Sequence, residues 1–159
     1  DKGITVVVPS GSNLSSENSI KGFAVLKDVI TVGGIDTTSA SKIYPSSSCG
    51  SSKTLAKPDF ISAAVDVISL NCNTSYISER NGLKVYPPKL NRHYIDVSGT
   101  SVSCAYIAGV CALLYEYNTQ LIFKDVYGLL KVSSRLIKEK QYMQGNGVID
   151  LSKILPKKQ

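Results

Sequence analysis

The sequence is poor in several residue types that mark common functional classes. It has no tryptophan, one histidine and one methionine among its 159 residues. No apolar run reaches the roughly 18 residues that a membrane-spanning helix needs, and the N-terminus lacks the charged-then-apolar layout of a secretion signal. The four cysteines, Cys49, Cys72, Cys104 and Cys111, follow no zinc-binding spacing. We therefore expect no membrane span, and we assign no metal ligands.

The charge of the chain is basic but scattered. The net charge is +6, yet the lysines gather only near residues 138–140 and 157–158. No aromatic residues alternate with a basic stripe, as stacking on nucleic-acid bases needs, so we expect no nucleic-acid partner. A hydrophobic content of 43% with 19% charged residues is typical of one folded domain. Because the chain opens on Asp1 just ahead of an apolar run, we expect it to be cut from a longer protein.

Apolar runs and helical patterns alternate along the chain. Residues 4–8 and 29–32 are β-branched runs ended by glycine-containing turns, the pattern of strands buried on both faces in parallel sheets. Residues 65–70 form another extended apolar run, whereas residues 37–53 are serine-rich and aperiodic, which indicates a surface loop. We expect the three runs to share one mainly parallel sheet in an α/β fold.

Two helices are predicted to flank this sheet. Residues 101–117 carry apolar residues on every face and a stripe of small residues, so we expect a central, buried helix packed on the sheet. Residues 125–136 read as an amphipathic helix. Asp125 lies near its start, where the helix dipole favours a negative charge.

A tight polar turn precedes the longer helix, and residues 98–114 read SGTSVSCAYIAGVCALL. A serine at such a place is most often a cap, because its side-chain oxygen accepts an orphan backbone N–H of the first helical turn. The same place suits catalysis, because backbone N–H groups beside the hydroxyl can bind an oxyanion. These residues alone leave both the cap and the nucleophile open.

The stretch from residue 98 resembles the nucleophile segment of the subtilisin-like serine proteases (subtilases), S-G-T-S-M-A-x-P-H-V-A-G. Four further blocks are similar to family motifs in the same order: ITVVVPSG to V-V-x-A-A-G, VITVGGID to V-I-x-V-G-A-x-D, KPDFISAAVDVIS to K-P-D-I-x-A-P-G-x-x-I-x-S, and GNGVIDLSKIL to G-x-G-x-I-N-x-x-x-A-L. The resemblance spans nearly the whole chain. It implies a subtilisin-like α/β fold and a serine endopeptidase that acts on peptide or protein substrates.

The resemblance also implies roles for residues on two turns. Ser101 matches the nucleophile, and Gly99 and Thr100 match the turn before it. The residues that match one wall of the pocket for the residue before the scissile bond are Val8, Pro9, Ser10 and Gly11. The family then has an asparagine whose amide binds the oxyanion, but here Ser12 stands in that place and Asn13 follows it. Ser12 and Asn13 are therefore alternative candidates for this donor.

The matched blocks belong to the second half of the family's catalytic domain. The D-x-G and H-G-T motifs of the first half, which supply the catalytic aspartate and histidine, are absent from residues 1–159. His93 lies eight residues before Ser101, roughly 26 Å away if the chain between them is extended, and we expect it to be an ordinary strand residue. We expect this C-terminal half to be inactive alone and to need the N-terminal half of the domain or a complementary chain.

Two rival interpretations stay open. The serine at position 12 favours a pseudoprotease, which binds a peptide or protein without cutting it, whereas the retained Gly-Thr-Ser opposes that hypothesis. The other rival is an unrelated α/β binding module with a capped helix. The sequence names no cofactor. Structural calcium and an extracellular or cell-envelope location are suggested by the resemblance alone.

Overall fold

The computed structural model describes residues 3–39, 41–54, 56–73, 75, 79–80, 83–84 and 93–154. Its main sheet consists of β1 (Val7–Pro9), β2 (Ile30–Asp36), β3 (Lys42–Ile43) and β4 (Phe60–Ala63). β2 is central: it pairs in parallel with β1 and β4, and antiparallel with the short β3. The mainly parallel sheet expected from the sequence is thus confirmed.

Two smaller sheets follow in the described ranges. Their strands are β5 (Val67–Leu70), β6 (Glu79–Arg80), β7 (Leu83–Lys84) and β8 (Tyr94–Val97). β5 pairs antiparallel with β8, and β6 pairs antiparallel with β7. The prediction that residues 65–70 join the main sheet is therefore wrong.

Burial explains why β4, and not residues 65–70, pairs with β2 in the main sheet. Ile68 and Leu70 are 58% and 77% exposed, whereas Phe60 and Ile61 are fully buried. The segment that reaches the core therefore lies earlier in the chain, in β4. The first strand also begins later than predicted, because Ile4 is exposed and β1 starts at Val7, although the Val6 carbonyl already accepts the Ile30 N–H at 2.8 Å.

The helices of the described ranges lie mostly in the last third of the chain. They are α1 (Thr100–Tyr117), α2 (Phe123–Ser133) and α3 (Gln141–Gln144), with 3₁₀ turns at Gly22–Val25 and Leu151–Lys153. None of these helices is long and apolar enough to cross a membrane.

α2 starts and ends earlier than residues 125–136. The Asp125 carboxylate accepts the Ile122 N–H at 3.0 Å and satisfies one of the orphan donors at the helix start. The backbone is already extended at Ser134, and Arg135 pairs with Val148 instead of continuing the helix. Pairing with a distant segment therefore ends the helix before the residue at which its amphipathic pattern ends.

The alternation of side chains along the strands builds a core on each face of the sheet. On one face, buried residues of β2, β4, α1 and α2 pack together: Ile30, Val32, Phe60, Ile107, Val110, Cys111, Leu114, Val126 and Leu130. On the other face, Ile35, Ile43 and Ile61 form a smaller cluster. The main core therefore lies between the parallel strands and α1.

α1 is buried on one face only, which corrects the expectation of a helix buried all round. Its sheet-facing residues are buried, but the stripe of small residues lies on the exposed side: Ala105, Ala108, Gly109 and Ala112. Tyr106 and Leu113, beside this stripe, are about half exposed. The exposed face of α1 is thus mostly small and apolar.

Candidate active site

Ser101 is not the cap of α1. Gly99 holds the cap position with φ +147°, a conformation that favours glycine, and no side chain caps the helix start. Ser101 is the second residue of the helix, and its side chain is exposed. Within the described ranges, no acceptor takes its backbone N–H and its hydroxyl has no partner. This arrangement leaves a hydroxyl and a backbone donor together at the positive end of a helix.

The end of β4 sets the place of Ser101. The Gly99 N–H donates to the Ala64 carbonyl at 2.7 Å. One turn along the helix, the fully buried Ser103 donates its hydroxyl to the Ser62 and Ala63 carbonyls, at 3.0 and 2.9 Å. The head of α1 is therefore bonded to the carboxyl end of a core strand.

The turn after β1 meets the head of α1 at the same edge of the sheet. β1, β2 and β4 are parallel, so their carboxyl ends lie together. The Ser10 N–H extends the pairing by donating to Val32 at 2.8 Å, and the buried Thr100 places its Oγ1 3.4 Å from the Gly11 carbonyl oxygen. The two turns singled out in the sequence are thus in contact.

The residues assigned to the pocket wall differ in exposure. Ser10 is buried, Val8 and Gly11 are partly buried, and Pro9 is exposed. Val8 and Pro9 lie opposite Thr31 and Val32 in the sheet. The structure therefore holds this segment through β2 and leaves part of it open.

Both the side-chain amide and the backbone N–H of Asn13 are already engaged. Its side-chain Nδ2 donates to the Ser19 carbonyl at 3.3 Å, and its backbone N–H donates to Ser48 Oγ at 2.9 Å. Ser12 is exposed, and its hydroxyl has no partner in the described part of the chain. Of the two candidate oxyanion donors, Ser12 is the one without a competing bond.

Sequence reasoning missed a buried serine segment beneath this turn. Residues 37–53 were expected to form a surface loop, but residues 47–50 are buried. Ser47 Oγ accepts the Gly34 N–H at 2.9 Å and lies 3.4 Å from Ser10 Oγ. A serine-rich composition carries no signal of this burial, because the bonding partners lie in distant segments.

His93 lies at the other end of β8 from the turn that leads to Ser101. It is exposed and immediately precedes β8, an extended strand whose last residue pairs with Val67. Four strand residues at about 3.3 Å each, roughly 13 Å, separate it from the end of β8, before the turn that leads to Ser101. That His93 is an ordinary residue at a strand stays a prediction.

The opposite edge of the sheet holds a buried charged cluster. Lys57 Nζ lies 2.6 Å from Asp59 Oδ2 and donates to the Val29 carbonyl at 2.8 Å. Asp59 also accepts the Thr31 N–H at 2.7 Å and the Tyr127 hydroxyl at 3.0 Å. Burial, together with the Asp59 charge, raises the pKa of Tyr127 to about 12. This cluster precedes β4, so it lies at the far end of the strand from Ser101 and ties the core together.

Structural calcium, which only the resemblance suggests, stays a prediction. The described ranges contain no group of three or more histidine, cysteine, aspartate or glutamate side chains able to hold a metal ion. The buried Asp59 carboxylate already faces the Lys57 ammonium. Calcium is also bound by backbone and amide oxygens, which this set of side chains does not include.

These features define an α/β fold with an exposed serine at the start of a helix, and comparisons with known proteins give it a family. The sequence model of the subtilase family matches residues 1–147. The chain therefore belongs to the subtilases, the subtilisin-like serine peptidases. This excludes the unrelated binding module.

Individual relatives agree with this assignment. The serine protease AprX of Bacillus subtilis (strain 168) is 29% identical over 161 residues, which cover 97% of this chain and 36% of AprX. Among solved structures, the S41 psychrophilic protease has a TM-score of 0.76 at 16% identity, over 95% of this chain and 49% of that one. Sphericase has a TM-score of 0.71 at 17% identity, over 93% and 48%. The chain thus spans about a third of AprX and about half of these solved chains, which show the same fold.

Proposed function

We propose that this chain supplies the nucleophile of a subtilisin-like serine endopeptidase, with Ser101 as that nucleophile. The observation that carries the proposal is the state of Ser101: it is exposed at the head of α1, where glycine has taken over the capping position. A serine kept for capping would accept a backbone N–H of the first turn, and Ser101 does not. The hydroxyl is therefore available for chemistry.

The geometry fits acyl transfer. Ser101 Oγ attacks the peptide carbonyl, and its proton passes to a histidine that lies outside residues 1–159 and is oriented by an aspartate. The carbonyl oxygen becomes an oxyanion that the backbone N–H of Ser101 binds, and a donor on the turn after β1 completes the site. Residues 8–11 form one wall for the substrate residue before the scissile bond.

The exposed face of α1 is where we expect the missing half to pack. Its residues are small, so another backbone can approach closely, and Leu113 adds apolar area that favours burial. The partner is the N-terminal half of the same domain or a complementary chain, which brings the aspartate and the histidine. The substrate is a peptide or protein. An extracellular or cell-envelope location accords with the family.

A labelling experiment tests the nucleophile. Residues 1–159 alone should react poorly with a fluorophosphonate and hydrolyse no peptide, because the motifs that supply the family's catalytic histidine and aspartate are absent from this sequence. Together with a subtilase first half, covalently or as a separate chain, Ser101 should be labelled and peptide hydrolysis should appear. Ser101→Ala should abolish both. Ser98→Ala, at another exposed serine three residues earlier, should keep both. Turnover by residues 1–159 alone that is lost in Ser101→Ala would refute the need for a second half.

The second candidate function is a pseudoprotease that binds a peptide or protein without cutting it. The state of the turn after β1 favours it: Ser12 replaces the family's asparagine, and the Asn13 amide is bonded to Ser19. This candidate predicts that the complete protein binds a peptide substrate without product formation and that Ser101→Ala leaves binding unchanged. Hydrolysis that depends on Ser101 would exclude it.

A further inference from the structure

Ser48 holds the turn after β1 on both sides of Ser12. Its backbone N–H donates to the Gly11 carbonyl at 3.0 Å, and its Oγ accepts the Asn13 N–H at 2.9 Å. Ser12 lies between these two anchor points and makes no side-chain bond of its own within the described ranges. The backbone from which the Ser12 side chain projects is therefore held by bonds that its neighbours make to Ser48.

Ser48 is itself held firmly. It is fully buried. The next residue, Cys49, donates its N–H to Ser19 Oγ at 2.8 Å and accepts the Ser19 and Ile20 N–H groups at 2.9 and 3.1 Å. On the other side, Ser47 accepts the N–H of Gly34 in β2. Bonds to the central strand and to residues 19–20 thus make Ser48 a rigid anchor.

Ser48 is also linked to the head of α1, because the Gly11 carbonyl contacts both. The Gly11 carbonyl oxygen accepts the Ser48 N–H and lies 3.4 Å from Thr100 Oγ1, one residue before Ser101. Gly11 has φ +104°, and a Cβ there would lie 3.1 Å from Ser48 Oγ, so the turn and the anchor are in close contact. A shift of Ser48 would therefore move Ser12 relative to Ser101.

We propose that Ser48 is a positioning residue for the oxyanion site. It does not touch the substrate; it fixes the turn from which Ser12, or an asparagine in its place, donates to the developing oxyanion. This inference rests on the proposed function of Ser101. Donors at an oxyanion act only when held in place before the reaction, and a misplacement of about 1 Å can cost up to about 10²-fold in rate.

The first test is kinetic, in a protein that holds this chain together with a subtilase first half. Ser48→Ala should lower kcat about tenfold and leave KM within about twofold, because ground-state binding does not use the oxyanion donor. Ser48→Cys, which keeps the size and a weak acceptor, should recover part of the loss. The matched control is Ser133→Ala, since Ser133 is also fully buried and its hydroxyl bonds a backbone carbonyl within α2. It should leave kcat unchanged.

A double-mutant cycle separates positioning from general loss of structure. Ser12→Asn should raise kcat about tenfold in the protein that keeps Ser48, but less than about threefold in the Ser48→Ala background, since the new amide is then poorly placed. Equal gains in both backgrounds would show that Ser48 does not position residue 12, and would overturn the proposal.

Hydrogen exchange gives a readout independent of turnover. The Asn13 amide should exchange at least about tenfold faster in Ser48→Ala than in the parent or in Ser133→Ala, because its acceptor is gone. Unchanged exchange, or faster exchange with unchanged kcat, would overturn the positioning role alone. A complete protein whose Ser101 reacts with no fluorophosphonate would overturn the proposed function, and with it the role of Ser48.

Discussion

Replacing Ser12 by asparagine should speed the complete enzyme. Acyl transfer on this fold uses two donors, the backbone N–H of the nucleophile and a side-chain donor on the neighbouring turn. A serine hydroxyl can donate, but asparagine places its donor one covalent bond farther from the backbone. Ser12 is exposed, so water can stand between its hydroxyl and the oxyanion. The present donor should therefore be weak.

The expected magnitude follows from the cost of losing this donor. Removing it costs about 10² to 10³ in kcat, or about 2.7 to 4 kcal/mol, a figure measured in subtilisin itself. A water-bridged hydroxyl retains part of that stabilisation, so Ser12→Asn should raise kcat by about tenfold or more. Asn13→Ala should change kcat little, because the Asn13 amide already donates to the Ser19 carbonyl.

The assay is hydrolysis of a chromogenic peptide amide by the complete enzyme, with single-turnover measurements to isolate acylation. The gain should appear in acylation, with KM nearly unchanged. The opposite pattern, in which Asn13→Ala collapses kcat and Ser12→Asn does nothing, would show that the loop has shifted and Asn13 is the donor. If neither variant matters in an active enzyme, this picture of the oxyanion site is wrong.

Three further predictions concern the buried ion pair and the buried thiols. Lys57→Met should lower the free energy of unfolding by about 3 to 5 kcal/mol in denaturant titration, because it leaves the Asp59 carboxylate buried without its ion pair. Lys153→Met, at an exposed lysine, should have little effect. Equal stabilities of the two variants would refute a structural role for the ion pair. Burial raises the pKa of the Cys49 and Cys111 thiols to about 11, so an aromatic disulfide reagent at pH 8 should modify exposed Cys72 and spare both until the protein unfolds. Because their pKa is higher in the folded state, the stability that they contribute should be intact below about pH 9 and fall between about pH 9 and 11.

The sequence alone determined the family, the fold class and the place of the candidate nucleophile. Five ordered blocks carry the resemblance, and the turn at Gly99 with the helix behind it is encoded locally. Glycine suits the cap conformation, and the residues after it form α1 within one residue of the predicted start. Local patterns succeed here because the backbone preferences and the motif belong to the same short stretch.

Only the tertiary structure decided which apolar run enters the main sheet, which face of α1 is covered and which serines are buried. Residues 65–70 look as strand-like as β4, but strand pairing with β2 selects β4 and leaves Ile68 exposed. Ser48 sits in a serine-rich stretch that looks like a surface loop, and it is buried because its partners, Gly11 and Asn13, lie more than thirty residues away in sequence. Hydrophobic periodicity reports the neighbours along the chain, whereas hydrogen bonds and strand register depend on segments that meet only when the chain has folded.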